Sequence, residues 1–505
     1  MRILYIDIDT LRPDHLGCYG YHRNTSPNID RIAEEGTIFT ECYVSDAPCL
    51  PSRASLFTGR FGIHSGIIGH GGTAADLRLT GKTRGFQDQF LRFNWVSMLR
   101  RAKLYPVSIS PFAERHSSFW FYSGWKETYN PGKRGMERAD EIFPFVEKWL
   151  NVNAQKDNWF LHINLWDPHT PYRTPISFGN TFMKEPIPPW ITQEIINEQR
   201  KSYGPHSACE PFGFTVQDLS QWFPRLERLD EIRNLEDFKQ WIDGYDVGIR
   251  FADVYVGKII EMLKDNGVYE ETIIIISSDH GENQGELNIY GDHATACHIT
   301  NRVPMIIKWS QKNWKKEYNS LIYQSDIAAT VVEALGLEIP EFWDGKSFFS
   351  NIENDQKFGR EFLIISQNAW SCQRTVRFDN WTLIKTYHTG LKNFPELMLF
   401  DYKNDFHMIK NITEEKPEII SRGLKFLDKW YKEMLEKLPK NDDPLKVVLK
   451  EGGPFHTRDN LRRYIERLKE SERGDMVKKI LDRKENYSFK KSRKSISRLL
   501  VKTNY

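Results

Sequence analysis

Three short stretches of this sequence carry residue types that can do chemistry once folding brings them together. Asp9 follows an apolar run at residues 3–8, and Asp279 and His280 follow a run that begins at residue 272. Two carboxylates and an imidazole gathered at one point need a cation to offset their repulsion; either Asp taken alone reads equally well as the cap of a loop or helix. The third stretch is Cys49-Leu50-Pro51-Ser52-Arg53. Proline suits the first turn of a helix, which puts Cys49 at or just before a helix N-terminus, where free backbone N–H groups and the dipole favour an anion. Arg53, one turn further in, can hold oxyanions through its forked guanidinium.

For these residues to meet, strand ends and a helix start must share one edge of a sheet; open α/β sheets bind ligands at the carboxyl ends of their strands. Residues 3–8, 159–165 and 272–276 read as buried strands. Ser26-Pro27-Asn28-Ile29-Asp30 opens a helix that stops at Gly36, and a second helical stripe runs over residues 246–265. Fully apolar strands alternating with helices predict an α/β domain over residues 1–345, a large, mostly parallel central sheet flanked by helices. Short, closely spaced strands at 362–366, 374–378, 381–385 and 397–401, with a helix near 417–438, predict a smaller C-terminal α+β subdomain on an antiparallel sheet over 346–440. Residues 441–505 turn polar and end in Phe489-Lys490-Lys491-Ser492-Arg493-Lys494, which reads as a surface helix and a loosely held basic tail.

The chain is 505 residues long, 40% hydrophobic and 27% charged, with net charge +2, a balance that argues against a general nucleic-acid or membrane binder. No run approaches the ~18 apolar residues that span a bilayer. The first residues read as a core strand rather than a signal peptide, which sets the expectation of a cytoplasmic protein. Six cysteines without CxxC spacing are too few for a disulfide framework in so long a chain.

The segment from Cys49 to Arg53, with its trailing Thr58-Gly59-Arg60, resembles the maturation signature of the sulfatase family within the alkaline-phosphatase-like hydrolases. Further matches follow in family order: Leu11-Arg12-Pro13-Asp14-His15-Leu16-Gly17-Cys18-Tyr19-Gly20, then Ser26 to Asp30, Ser278-Asp279-His280-Gly281-Glu282, Arg302-Val303-Pro304 and Leu399-Phe400-Asp401-Tyr402. The resemblance implies that Cys49 is oxidised to formylglycine by a maturation enzyme, and that Asp9, Cys49, Asp279 and His280 hold one metal ion. Family habit and oxygen-rich ligation imply Ca²⁺; an imidazole among the ligands leaves Mg²⁺ or Mn²⁺ open. It implies further that the hydrated aldehyde attacks sulfur, with Arg53 stabilising the charge on the sulfuryl oxygens. His169, in Trp166-Asp167-Pro168-His169-Thr170-Pro171-Tyr172, resembles the family's active-site histidine loop and is expected to protonate the leaving alkoxide.

The sequence departs from the family at three places. Thr10 follows Asp9 where many relatives have a second acidic residue. The family's Gly-Lys-Trp-His segment is replaced by Ser110-Pro111-Phe112-Ala113-Glu114-Arg115-His116, and its later Gly-Lys by Gly291-Asp292-His293, so both sulfate-binding lysines are missing. Arg115, His116 and His293 are the expected substitutes, with His116 and His293 the next candidates for the acid. The expected substrate is a sulfated sugar or glycosaminoglycan fragment, with an aryl sulfate behind it. A phosphonate monoester or phosphodiester hydrolase of the same superfamily is the first alternative. A carbohydrate-binding pseudoenzyme with unmodified Cys49 is the second, since 15 Trp and 21 Tyr offer stacking surfaces.

Overall fold

The computed structural model describes residues 1–78, 89–213, 225, 226, 229–438 and 442–483. The basic stretch from Phe489 to Lys494 lies outside them. Among the described residues, no helix is long and apolar enough to cross a membrane.

An eight-stranded sheet forms the larger layer. Its strands are β1 (Arg2–Ile8), β2 (Thr37–Phe39), β3 (Tyr105–Ile109), β4 (Glu127–Tyr129), β5 (Trp159–Leu165), β6 (Thr272–Ser277), β7 (Met305–Lys308) and β8 (Glu317–Tyr318). They lie in the order β8-β2-β7-β6-β1-β5-β3-β4. All neighbours are parallel except β7, which runs against β6 and β2. Every residue of β1 is buried, as a central strand covered on both faces must be. Leu4, Ile6 and Ile8 join one core cluster, while Ile3 and Tyr5 join another on the opposite face, following the two-residue period of a strand.

A second sheet of four antiparallel strands is built from Phe362–Gln367, Cys372–Phe378, Trp381–His388 and Leu397–Asp401, with the helix Pro417–Glu436 packed on it. Its fifth strand is the short Asp46–Ala47, which pairs in parallel with Phe362–Gln367. The smaller sheet is therefore stitched to the larger layer two residues before Cys49. Residues 442–483 carry three helices, Pro444–Lys450, Leu461–Glu470 and Met476–Leu481, whose apolar stripe of Leu461, Tyr464, Leu468 and Ile480 is buried against Tyr203 and Leu391.

Two elements differ from the sequence expectation. The helix expected at 246–265 spans Leu235–Asp265, starting at Asn234, whose side chain accepts hydrogen bonds from the backbone N–H groups of Glu236 and Asp237. Its apolar stripe is broken in the sequence by Asp243 and Asp246, both buried because they pair with Arg23 at 2.9 and 2.8 Å. The strand Tyr105–Ile109 had no sequence signal: it is short and contains Pro106, a residue that strands accept reluctantly.

Candidate active site

Cys49 is the first residue of the helix Cys49–Thr58, all of whose residues are buried. Pro51 sits in the first turn without cost, because the N–H it lacks has no intrahelical partner there. One turn on, Arg53 reaches back under the strand ends. Its Nε donates to Asp7 Oδ2 at 2.7 Å, and its Nη1 donates to Asp9 Oδ2 at 3.0 Å and Asp279 Oδ2 at 2.6 Å. The guanidinium also lies over the rings of Phe112 and Trp166, with centroids 5.2 and 5.6 Å away. Asp7 and Asp9 come from the end of β1, and Asp279 from just past its neighbour β6, so adjacent parallel strands deliver three carboxylates to one edge. Asp7 escaped the sequence reading, although its place two residues before Asp9 is the signal that could have found it.

The electrostatics of this cluster are unbalanced. Burial, together with Asp9 and Asp7, pushes the Asp279 carboxyl well above the usual range, against the pull of Arg53. Asp7 is also penalised by burial, yet Arg53 and His162 hold it below the usual range. Burial, reinforced by Asp9 and Asp279, pushes the Cys49 thiol well up. The donor set fits a divalent cation. Asp9 Oδ1 and His280 Nε2 are buried without any hydrogen-bond partner. His280 donates from Nδ1 to the Gly281 carbonyl at 2.8 Å, so its Nε2 carries the lone pair, the state a metal-binding imidazole requires. The ligand atoms of Cys49, Asp279 and His280 lie within 4.8 Å of one another.

Cys49 opens onto a cavity of about 560 Å³ ringed by six histidines: His70, His116, His169, His206, His293 and His456. Cys49 Sγ lies 3.1 Å from His116 Nε2 and 3.3 Å from His70 Nε2. His169 donates from Nδ1 to the Thr170 carbonyl at 2.5 Å, and its ring centroid is 6.0 Å from that of His293. His293 in turn sits 4.4 Å, centroid to centroid, from His280. Burial pushes the His70, His116, His169 and His293 imidazoles well below their ordinary value. Arg115 and Arg134 also line the cavity, Arg115 5.0 Å from the Trp166 ring and donating to the Arg134 carbonyl at 3.2 Å. Thus Arg53, Arg115, His116, His169 and His293 all gather around Cys49 and the acidic cluster. His70, His206, Trp370, Phe455 and His456 also belong to the lining, and no motif in the sequence had marked any of them.

The family model described as sulfatase matches residues 2–337, and a second, described as N-sulphoglucosamine sulphohydrolase, C-terminal, matches residues 286–431. An N-acetylglucosamine-6-O-sulfatase of Bacteroides thetaiotaomicron is 22% identical over 81% of this chain and 82% of its own length. Among solved structures, one described as in complex with its substrate D-glucosamine-2-N,6-O-disulfate superposes with a TM-score of 0.67 at 19% identity, covering 88% of this chain and 99% of the other. A phosphonate monoester hydrolase from Silicibacter pomeroyi superposes with a TM-score of 0.63 at 17% identity, over 86% and 96% of the two chains.

Proposed function

The chain belongs to the sulfatase family as one of its enzymes, and from that premise we propose that it hydrolyses a sulfate ester of a sugar or glycosaminoglycan fragment, using Cys49 converted to formylglycine beside one divalent metal ion. The observation that carries this reading is the meeting of Cys49 with Asp279 and His280, beside Asp9, which shares Arg53 Nη1 with Asp279; Asp9 Oδ1 and His280 Nε2 are buried there without a hydrogen bond. Carboxylate oxygens favour Ca²⁺ there, and the imidazole admits Mg²⁺ or Mn²⁺. Bound at these four residues, the ion would supply Lewis-acid stabilisation of negative charge. Formylglycine, made by a maturation enzyme, would supply an oxygen nucleophile where the high-lying Cys49 thiol is a poor one.

The chain's own groups then divide the work. Arg53 braces the three carboxylates and keeps Nη2, which has no partner, for the charge that builds on the sulfuryl oxygens. Arg115, His116 and His293, all in the cavity lining, substitute for the family's missing lysines in this reading. His169, with Nδ1 committed to Thr170, uses Nε2 to hold the proton for the leaving alkoxide. Burial and Arg115 push its imidazole down when the cavity is empty; the negative charge of a bound sulfate ester opposes both and restores the acid. The sugar is supported by the kinship with an N-acetylglucosamine-6-O-sulfatase and by the aromatic wall of Trp370 and Phe455.

A phosphonate monoester or phosphodiester reading is the alternative, favoured by one observation: no lysine lines the cavity among the described residues. Two measurements decide. Conversion of –CH₂SH to –CHO lowers the mass of the Cys49 tryptic peptide by about 18 Da, off the ladder of ordinary thiol oxidation; an active preparation holding only thiol would sink the mechanism. Turnover of 4-nitrophenyl sulfate should exceed that of bis(4-nitrophenyl) phosphate, and the reverse ranking would favour the alternative.

A further inference from the structure

Residues 442–483 lie beyond both family matches, which end at 337 and 431, yet they reach the cavity onto which Cys49 opens. The segment is anchored at both ends. Asp443 accepts the backbone N–H of Leu445 at 3.0 Å, capping the helix Pro444–Lys450, and also accepts from Arg374 Nη2 of the smaller sheet at 2.8 Å. Further on, the Glu210 carboxylate pairs with Arg467 and Arg473, and the Gly204 N–H donates to the Tyr464 hydroxyl at 2.7 Å. Between these anchors the chain turns through Gly453, where φ is +97° and an added Cβ would stand 2.5 Å from His388 Nε2. That close approach delivers the next residues to the cavity. The His456 N–H donates to the Ala369 carbonyl at 3.1 Å, and its ring stacks on Trp370 with centroids 4.4 Å apart and planes 22° from parallel.

Held in this way, His456 Nε2 lies 2.7 Å from His70 Nδ1, and His70 Nε2 lies 3.3 Å from Cys49 Sγ. A neutral imidazole has one proton for two nitrogens, so whichever group fixes Nδ1 also fixes what Nε2 can do. Whichever of the two rings donates in this contact, it fixes whether His70 Nε2 presents a proton or a lone pair to the side chain at position 49, and the ring cannot turn without breaking that bond. We propose that His456 is a positioning residue of the active site, which orients His70 against residue 49, and that residues 442–483 are the part of the fold that supplies it. The proposal rests on the sulfatase reading for its kinetic consequence and on geometry alone for its structural one.

The test uses the full chain, with Cys49 converted and metal bound. His456→Ala should lower kcat for 4-nitrophenyl sulfate by about 10–100-fold, the usual range when the partner behind an active-site imidazole is removed, and leave KM within about twofold. His456→Gln, whose amide reaches the position of Nε2, should restore most of the rate. In the crystal structure of His456→Ala, the residue 70 ring should have left hydrogen-bonding distance of residue 49. Wild-type activity in His456→Ala, or a loss that His456→Gln does not rescue while ring 70 stays in place, would overturn the proposal. Should the wild type cleave no sulfate ester, the sulfatase reading fails separately. The crystal structure of His456→Ala then decides alone: a displaced ring 70 supports the proposal, and an unmoved one overturns it.

Discussion

A leaving alkoxide needs a proton in proportion to its basicity, so the role of His169 can be read from how its loss depends on the leaving group. His169→Ala should slow a sugar sulfate by about 10²–10⁴-fold, the range of general acid catalysis, and slow an activated 4-nitrophenyl sulfate far less. Steady-state kinetics on both substrates check this: equal losses would assign His169 to binding, and no loss would pass the role to His116 or His293. Cys49→Ala should abolish turnover of both substrates, since the proposed nucleophile comes from that side chain. It should leave the melting temperature close to the wild-type value, because alanine suits a helix start and the change removes a single buried sulfur. A Cys49→Ala protein that retained turnover would refute covalent chemistry at this position.

At the scale of the element, the helix Cys49–Thr58 carries Cys49 and Arg53 together, the proposed nucleophile and clamp, and its far end is as constrained as its start. Gly59 closes it with φ +70°, in the left-handed region, and a Cβ there would stand 2.2 Å from the Trp343 ring. Gly59→Ala should therefore cost about 1–2 kcal/mol of backbone strain plus a steric term, together about 2–4 kcal/mol. Calorimetry should show the melting temperature falling by several degrees, with kcat falling because Arg53 moves with its helix; an unchanged melting temperature would contradict the packing. The start of this helix was legible in the sequence because its signal is local, Pro51 in the first turn. The strands at 159–165 and 397–401 were legible for a similar reason, and the structure gives them as Trp159–Leu165 and Leu397–Asp401. The start of Leu235–Asp265 was not, because Asp243 and Asp246 look like surface residues until Arg23 is known to pair with them.

At the scale of the molecule, legibility follows sequence distance. Asp9, Cys49, Arg53, Asp279 and His280 each stand beside a motif, so the reading reached them. His70 and His456 meet across 386 residues with no pattern around either, and a pairing of that kind exists only in the fold. On the proposed function, the same long-range convergence would make a bound metal a folding partner as well as a cofactor. Three buried carboxylates share one arginine, and the rise in the Asp279 carboxyl shows that its charge costs stability when no cation is present. Asp279→Asn keeps the volume and removes that charge, so the metal-free variant should melt no lower than the metal-free wild type. Added Ca²⁺ should act unequally on the two proteins. At 100–1,000 times its dissociation constant, a bound ion stabilises the wild type by about 2.7–4.1 kcal/mol through mass action, whereas the variant, short of a ligand, should gain little. Chelator-treated samples titrated with Ca²⁺, Mg²⁺ and Mn²⁺ and followed by thermal melting would show this without any substrate. A metal-independent melting temperature in the wild type, or an equal gain in Asp279→Asn, would mean that the carboxylates at the end of β1 and β6 serve Arg53 alone.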